Sequence, residues 1–354
     1  MVSATQQSWF NRVAAALVCA VLAGMAAPVR AETVTPPSQI KIIVNASGGT
    51  YDLYARLVSR HFGRQLPGNP HFIVQYMTGA SGTRALNYLY AQAPRDGSVI
   101  ETLNSASAFY QRIGQPGIQY DAGEFSWIGS LTRAIDGLVV YHTSKVRSIE
   151  EARNTVVVVG ASGAAGTMAT YPAFMNNVLG TKFKIVMGYQ GGNDVLLAME
   201  RGEVDGPGNR PWSTWKVIRP DWVANGLIKP LVQLSLKKAD DLQDVPLLID
   251  LARNAEERDM FYFLSSHTPM EQPFAGPPKL APELLEMYRS AFTAMYGDAE
   301  FLADAAKNRM DLEPRSGSEV AAIVAGTLAT PQDIVDRVKQ ALTVPGAETD
   351  TKQE

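Results

Sequence analysis

Short apolar runs alternate with amphipathic segments from Ile40 onward. The runs 40–44, 72–76 and 156–159 are rich in β-branched or aromatic residues and predict strands, the last of them most strongly. Apolar residues at helical spacing predict a helix over residues 52–66, between the first two strands. Its apolar face consists of Leu53, Leu57, Val58 and Phe62. Alternating strands and helices are typical of an α/β sheet, and this pattern continues into a more helical last third.

Four predicted strands end in loops of glycine, serine and threonine that lead into predicted helices. The loops occupy residues 46–51, 78–83, 160–167 and 190–194. Ligands of open α/β sheets bind at the carboxyl ends of strands, where helix N-termini present unpaired N–H groups and the positive end of the helix dipole. Glycine lets the backbone approach an anion closely. Four such loops, divided between an early and a middle segment, indicate two lobes that face a shared anion-binding cleft.

The first 31 residues have the pattern of a secretory signal. Arg12 precedes an apolar run at residues 13–27, and Val29 and Ala31 stand where a small-residue cleavage site requires them. The run is shorter than the roughly 20 apolar residues of a membrane span, so a retained anchor is the less favoured alternative. We therefore expect export to the periplasm with cleavage near Ala31. Cleavage would remove Cys19, the only cysteine, and leave a chain without disulfides.

The remaining composition excludes several classes of function. A formal net charge of −3 argues against a nucleic-acid partner, which requires a basic patch. The four histidines are widely spaced and form no H-x-x-x-H pair, so no metal site is predicted. We also expect no cofactor. Gly160, Gly163 and Gly166 follow a strand but lack the G-x-G-x-x-G spacing, and lysines stand about 20 residues on where a dinucleotide site needs an acid.

Two serines and two tryptophans allow other interpretations. Ser81 and Ser162 lie in Gly-x-Ser-Gly, which resembles a hydrolase nucleophile turn, but that turn has its second glycine one residue later. An exported serine hydrolase acting on a small ester or amide is therefore the alternative function, and it predicts a histidine within reach of one serine. Trp212 and Trp215 fit an aromatic wall of a ligand site and the protein core equally well.

The ordered set of loop motifs resembles the Bug-type receptors of tripartite tricarboxylate transporters, which belong to the type II periplasmic binding proteins. The resemblance covers nearly all of the chain after the signal segment. It rests on Gly48-Gly49-Thr50-x-Asp52-x-x-Ala55-Arg56, Gly79-Ala80-Ser81-Gly82, Pro94-Arg95-Asp96-Gly97, Gly163-x-x-Gly166-Thr167, Tyr189-Gln190-Gly191-Gly192, Gly202-x-Val204-Asp205, Asp244-Val245-Pro246, Ala275-x-Pro277-Pro278 and Arg289-x-Ala291-Phe292. The chain departs from the family at Tyr76-Met77-Thr78 and at the run 207–212, which contains Arg210.

The resemblance implies a two-lobed α/β fold in which each lobe is a mixed sheet flanked by helices and the ligand lies in a cleft between the lobes. We expect lobe 1 to comprise residues 35–140 and 252–343, lobe 2 residues 141–251, and residues 344–354 to form a disordered tail. Carried onto matching positions, the implied ligand-binding residues of lobe 1 are Gly48, Gly49, Thr50, Gly79, Ala80 and Ser81, with Ser105 and Ser107 at the next strand end. Those of lobe 2 are Ser162, Thr167, Gly191 and Gly192.

The function implied is that of a periplasmic receptor, not an enzyme, which captures a small carboxylate for a membrane permease of the tripartite tricarboxylate type. The ligand class left open is a dicarboxylate or tricarboxylate, or an aromatic acid. A sensory role, in which the receptor signals to a membrane kinase, is an alternative to transport. Asp52 is assigned either to helix capping or to holding the first loop around the ligand. We expect a monomer.

Replacing Arg210 with alanine distinguishes two types of ligand. If Arg210 binds the second carboxylate of a dicarboxylate, Arg210→Ala should abolish binding, because the charge-assisted hydrogen bonds are lost. If the ligand is an aromatic acid that stacks on a tryptophan, the same change should leave the affinity nearly unchanged. Titration of each acid into the wild-type and variant proteins measures the difference.

Overall fold

The computed structural model describes residues 34–45, 49–164 and 166–345, without the side chain of Ser81. The predicted signal segment, Gly48 and residues 346–354 of the predicted tail lie outside the described residues. The strands are β1 (Gln39–Val44), β2 (His71–Tyr76), β3 (Val99–Thr102), β4 (Ser126–Thr132), β5 (Asp136–Tyr141), β6 (Val157–Gly160), β7 (Phe183–Val186), β8 (Gly206–Pro207), β9 (Ile228–Leu234), β10 (Glu271–Gly276) and β11 (Arg315–Ser316).

The α-helices connect these strands and cover the sheets. They are α1 (Gly49–His61), α2 (Thr83–Ala91), α3 (Ser107–Arg112), α4 (Thr167–Leu179), α5 (Gly192–Glu200), α6 (Trp212–Ile218), α7 (Pro220–Ala224), α8 (Ala255–Ser265), α9 (Pro282–Met295), α10 (Ala299–Lys307), α11 (Gly317–Leu328) and α12 (Gln332–Ala341). No helix in the described part of the chain is both long enough and apolar enough to cross a membrane.

The first lobe contains a six-stranded mixed sheet in the order β11-β4-β10-β3-β1-β2. β1 pairs in parallel with β2 and β3, and each parallel pair requires a crossover, which α1 and α2 provide. β10 is antiparallel to both β3 and β4. The β-branched residues of β1 are buried, as expected for a strand in the interior of a sheet covered by helices. The predicted apolar face of α1 includes Leu53, but this side chain is 45% exposed.

The second lobe contains the parallel strands β7, β6 and β8. β5 runs alongside the β8 segment in the opposite direction, because Tyr141 N donates to Asp205 O at 2.6 Å and Arg210 N donates to Gly137 O at 3.2 Å. β5 also pairs with β9 in antiparallel register along its whole length. The second lobe therefore also combines parallel and antiparallel strand pairing, with β5 as the antiparallel strand. Gly208, just after β8, approaches α4 so closely that a Cβ there would lie 1.6 Å from the Met168 carbonyl oxygen.

Two helices from the last third of the chain pack against α4. α8 and α12 lie in the range expected for lobe 1, but their apolar residues pack with Phe174 and Met175 of α4 in one buried cluster. Val344, at the start of the predicted tail, is also buried and packs against small residues of α4. The C-terminal segment thus returns to cover α4, and residues 332–344 are part of the packed structure.

The core of the first lobe contains a carboxyl group. Glu101 lies on β3, between Ile43 of β1 and Ala275 of β10, and its side chain is fully buried. Neither carboxylate oxygen has a hydrogen-bond partner among the described residues. Burial raises the pKa of Glu101 well above its usual value, because an ionised carboxylate is poorly solvated in the interior. The folded state therefore favours the protonated form.

We expect Glu101→Gln to stabilise the protein increasingly as the pH rises above about 4.5, the ordinary value for a glutamate. Above that pH the unfolded wild type releases its proton, whereas the folded state retains it, so the stability of the wild type falls as the pH increases toward the raised pKa. Glutamine has no proton to lose. The gain in unfolding free energy should be roughly 1–3 kcal/mol near neutral pH.

Denaturant unfolding from acid to neutral pH measures this gain, with Glu150→Gln at an exposed position as the control. The control should follow the wild-type curve. A Glu101→Gln variant less stable than wild type at every pH would contradict an unpartnered carboxyl group.

Candidate functional site

A cavity of about 570 Å³ lies between the two lobes. One wall comes from the start of α1, the segment after β3, and the segment that leads into β10. The opposite wall comes from the N-terminal ends of α4 and α6, and residues 308–311 after α10 complete the lining. Its volume is within the range of small-molecule sites.

Glu271, at the start of β10, lines the lobe 1 wall and accepts several hydrogen bonds. Ser105 Oγ donates to Glu271 Oε2 at 2.5 Å, and Gln272 Nε2 donates to Glu271 Oε1 at 3.2 Å. The Tyr51 hydroxyl also donates to this carboxylate, and it accepts from the Ser105 backbone N–H at 3.3 Å. The network therefore supplies donors to Glu271 and leaves the group acting as an acceptor.

Two opposing effects act on the pKa of Glu271. Burial raises the pKa, and the negative charge of Asp136 raises it further. The hydrogen bonds from Ser105 and Tyr51, and the charge of His267, lower the pKa because they stabilise the ionised form. The net result is a pKa above the usual value for glutamate.

Gln272 follows Glu271 and is 1% exposed. Its φ of 53° lies in the left-handed region, a conformation that costs a residue with a side chain about 1–2 kcal/mol. Gln272 Nε2 reaches Thr50 Oγ1 at 3.3 Å, whereas Oε1 is buried without a hydrogen-bond partner among the described residues. The side chain thus joins β10 to the start of α1 and leaves one acceptor unused at the cavity.

Asp136 and His267 form a second polar pair on the cavity wall. Asp136 begins β5, and His267 lies in the buried segment between α8 and β10. His267 Nε2 is 3.9 Å from Asp136 Oδ2, too far for a hydrogen bond. His267 Nδ1 is buried and has no hydrogen-bond partner in the described ranges. Besides Asp311, which pairs with Lys216, the cavity wall therefore holds two carboxylates, Asp136 and Glu271, and polar atoms that no described residue satisfies.

Tyrosines supply the larger surfaces of the cavity. Tyr51, Tyr54, Tyr110 and Tyr171 all line it. Burial raises the pKa of Tyr110 to about 12, with a smaller contribution from the charge of Asp136. Each hydroxyl therefore remains protonated at neutral pH, and the rings give apolar walls with polar tips.

Asn209 connects the lobe 2 wall to β5. Its Oδ1 accepts from Gly137 N at 3.1 Å, and its Nδ2 donates to Thr167 Oγ1 at 3.3 Å. Thr167 is the first residue of α4 and lines the cavity. One buried amide thus fixes the N-terminus of α4 relative to the strand that carries Asp136.

Arg210 lies against the N-terminus of α5. A Cβ added to Gly192, the first residue of that helix, would lie 1.9 Å from Arg210 Nη2. The guanidinium carbon is 5.4 Å from the ring centroid of Trp215, within the range of a cation–π contact. Burial lowers the pKa of Arg210, which nevertheless stays charged at neutral pH. No hydrogen bond or ion pair of the guanidinium is formed with the residues described.

The remaining basic groups of the cavity lie on α6 and after α10. Lys216 is 3.0 Å from Asp311 and 4.0 Å from Asp241, so its charge is compensated. Arg309 is exposed, lines the cavity and forms no ion pair with a described acid. Leu53 and Val217 line the cavity from opposite lobes, and each keeps more than 40% of its surface exposed.

The structure brings some of the predicted ligand-binding residues together. Thr50, Ser105 and Thr167 line the cavity, and Gly192 meets Arg210 beside Gly191. The sequence interpretation did not include Asp136, Glu271, Gln272 or the tyrosines. A signal existed for one of them, since Glu271 is the only acid in an otherwise uncharged strand.

Other predicted residues lie elsewhere. Asp52 is buried and accepts from Arg56 Nε at 2.9 Å and from the Tyr76 hydroxyl at 2.8 Å, contacts that hold α1 against the end of β2. Ser107 is buried and is not part of the cavity wall, and Ser162 is exposed. Gly49 and Gly79 are also exposed. Ala80 lines a separate cavity of about 760 Å³ on lobe 1, together with Arg84 and Asn87.

The two tryptophans belong to the core. Trp212 and Trp215 are buried in one apolar cluster with Trp222, and neither contributes to the cavity wall. Trp212 Nε1 donates to Asp241 Oδ2 at 2.9 Å. An aromatic wall is present in the cavity, but it is made of tyrosines. The described part of the chain contains no group of three or more potential metal-ligating side chains.

Several solved structures are similar to this chain over most of its length. A TctC solute binding protein from Polaromonas, without ligand, has a TM-score of 0.63 and 17% identity, and the match covers 84% of this chain and 98% of that chain. A Rhodopseudomonas palustris protein with adipate has a TM-score of 0.61 and 20% identity over 85% and 97%. MatC from the same organism, with bound malate, has a TM-score of 0.59 and 16% identity over 84% and 98%.

These comparisons establish the fold. The chain has the two-lobed α/β fold of periplasmic binding proteins, with a cleft between the lobes, which confirms the prediction of fold class. The resemblance seen in the sequence motifs is likewise confirmed, since the similar structures include TctC and Bug-type proteins. No protein-family model and no curated protein sequence matches the chain.

Proposed function

We propose that this protein is a periplasmic receptor that captures a small carboxylate for a membrane permease of the tripartite tricarboxylate type. The observation that carries the proposal is the partly buried guanidinium of Arg210 at the N-terminus of α5. The positive end of the α5 dipole and the guanidinium both produce a positive potential in the same small region. Two positive groups so close to each other are stabilised by an anion between them.

The position of Arg210 connects this anion site to the cavity. Pro211, the next residue, lines the cavity, and the neighbouring Asn209 holds Thr167 on the same wall. A carboxylate at the α5 N-terminus would therefore belong to a ligand that occupies the space between the lobes. Arginine binds carboxylates bidentately, and each charge-assisted hydrogen bond is stronger than a neutral one.

Proteins of similar fold contain ligands of this chemistry. One holds malate and another adipate, and both are dicarboxylates. These ligands support the choice of carboxylates as the class to test first. The predicted signal segment, with cleavage near Ala31, would deliver the receptor to the periplasm, where a monomer binds its ligand and presents it to the permease or to a sensor kinase.

The alternative is an exported serine hydrolase. Ser162 makes no hydrogen bond to a histidine within the described ranges. His61 bonds to Asp304 and Arg64, and His267 lies beside Asp136 and Phe109. If the protein were such a hydrolase, it would lose its activity when Ser162 or Ser81 is changed to alanine. We expect neither variant to affect any ester hydrolysis measured with the purified protein.

A thermal-shift screen of the chain from residue 32 onward tests the receptor function. The protein is first unfolded, dialysed and refolded to remove carried-over ligand, and then mixed with monocarboxylates, dicarboxylates, tricarboxylates, aromatic acids and neutral amides. A ligand at about 100 times its dissociation constant contributes about 2.7 kcal/mol to the stability, enough to raise the midpoint by several degrees. If none of these acids raises the unfolding midpoint of the refolded protein, the proposal is wrong.

A pair of glycine variants tests the anion site. Gly192→Ala inserts a methyl group where Arg210 Nη2 lies, so the guanidinium must move away from the N-terminus of α5. Gly326→Ala, on the exposed side of α11 and outside the cavity wall, is the matched control, because a Cβ there also meets nothing within 4 Å. We expect Gly192→Ala to weaken binding of the acid at least tenfold and Gly326→Ala to leave it nearly unchanged. Equal affinities would place the carboxylate elsewhere.

A further inference from the structure

The lobe 1 end of the cavity is rich in acceptors. Asp136 and Glu271 both line it, and the charge of one raises the pKa of the other, which indicates that the two carboxylates interact. The Glu271 carboxylate receives its hydrogen bonds from Ser105, Tyr51 and Gln272. No lysine or arginine forms an ion pair with either acid in the described part of the chain. Such an end is unfavourable for a second carboxylate of the ligand.

Two further groups at this end are incompletely satisfied. Gln272 Oε1 can only accept a hydrogen bond, and it has no donor although the side chain is almost completely buried. His267, 5% exposed, has no partner for Nδ1. Buried polar atoms without partners cost stability, and such atoms in a cavity wall indicate a group that arrives with the ligand. For Gln272 that group must be a donor.

A positive group lies next to the lobe 2 side of the cavity. Arg210 does not line the cavity itself, but it precedes Pro211, which does, and it lies against the N-terminus of α5. Arg210 would attract an anion there, whereas Asp136 and Glu271, which do line the cavity, would attract a cation. A cationic nitrogen would compensate the negative charge of the acids and would supply N–H donors to acceptors such as Gln272 Oε1. A ligand with both groups therefore matches the two walls at once.

We propose that the ligand is an amino acid or another carboxylate that bears a cationic nitrogen, and that Asp136, Glu271 and Gln272 form the subsite for this nitrogen. The inference rests on the proposed receptor function and specifies its ligand. The nitrogen lies against lobe 1 and the carboxylate against lobe 2, so that one molecule bridges the lobes. Because only the closed arrangement of the lobes brings both subsites to the ligand, that arrangement would bind the ligand more tightly than an open one.

Matched pairs of acids test the subsite. Butyrate is compared with 4-aminobutyrate, hexanoate with 6-aminohexanoate, and glutarate with glutamate, by calorimetric titration into the refolded wild-type chain. The members of each pair differ only in the amino group. We expect at least one amino acid to bind tenfold or more tightly than its amine-free partner, and putrescine, which has no carboxylate, to bind weakly.

Three variants assign the effect to the subsite. Glu271→Gln and Asp136→Asn each remove a charge at nearly constant shape, and each should reduce the preference for the amino acid by tenfold or more. Affinity for the amine-free acid should be unchanged or higher. Glu101→Gln is the control, because it removes a buried carboxyl group that does not line the cavity, and it should retain the preference. Circular dichroism confirms that each variant is folded.

The outcomes separate this inference from the receptor function. Amine-free acids that bind as tightly as the amino acids would overturn the nitrogen subsite and leave the carboxylate receptor intact. A preference for amino acids that survives in both Glu271→Gln and Asp136→Asn would also overturn it. Binding of neither member of any pair, in refolded protein, would overturn the receptor function and the inference together.

Discussion

The antiparallel pairing of β5 with β9 is the constraint on which the site depends. This two-stranded ladder holds Asp136 opposite Leu234 at one end and Tyr141 opposite Ile228 at the other. Hydrogen bonds from the β8 segment attach to the same strand. Asp136, Asn209 and Arg210 therefore keep their relative positions through the backbone of one ladder, while the walls of the cavity belong to different lobes.

The buried Glu101 and the half-buried Glu271 show how the surroundings of a carboxyl group affect it. Burial raises the pKa of both Glu101 and Glu271. Glu101 has no hydrogen-bond partner in the described chain and lies inside a sheet, so its effect is on stability and its dependence on pH. Glu271 has three donors and faces a cavity beside a second acid. The same residue type thus lies unpartnered in the core at one position and on a cavity wall at the other.

The proposed anion site and the proposed nitrogen subsite carry opposite charges. Arg210 and the α5 N-terminus would attract an anion, and Asp136 and Glu271 on the cavity wall would attract a cation or a donor. Tyrosine rings on the cavity wall provide apolar surface without additional charge. A ligand with one kind of charged group would leave the other site uncompensated, so the two sites together would be more selective than either alone.

The sequence by itself determined the strand and helix pattern and the two-lobed fold class, because periodicity and glycine-rich strand ends are local properties of the chain. It also named Thr50, Ser105 and Thr167, which the structure places on the cavity wall. It also singled out Arg210. It did not reveal the proposed subsite of Asp136, Glu271 and Gln272. Asp136 is more than a hundred residues from the other two along the chain, and they meet only through the pairing of β10 and the position of β5. Only the tertiary structure showed that Trp212 and Trp215 are core residues, that Ser107 is buried outside the cavity, and that the C-terminal helices pack on α4, since these outcomes depend on which surfaces meet.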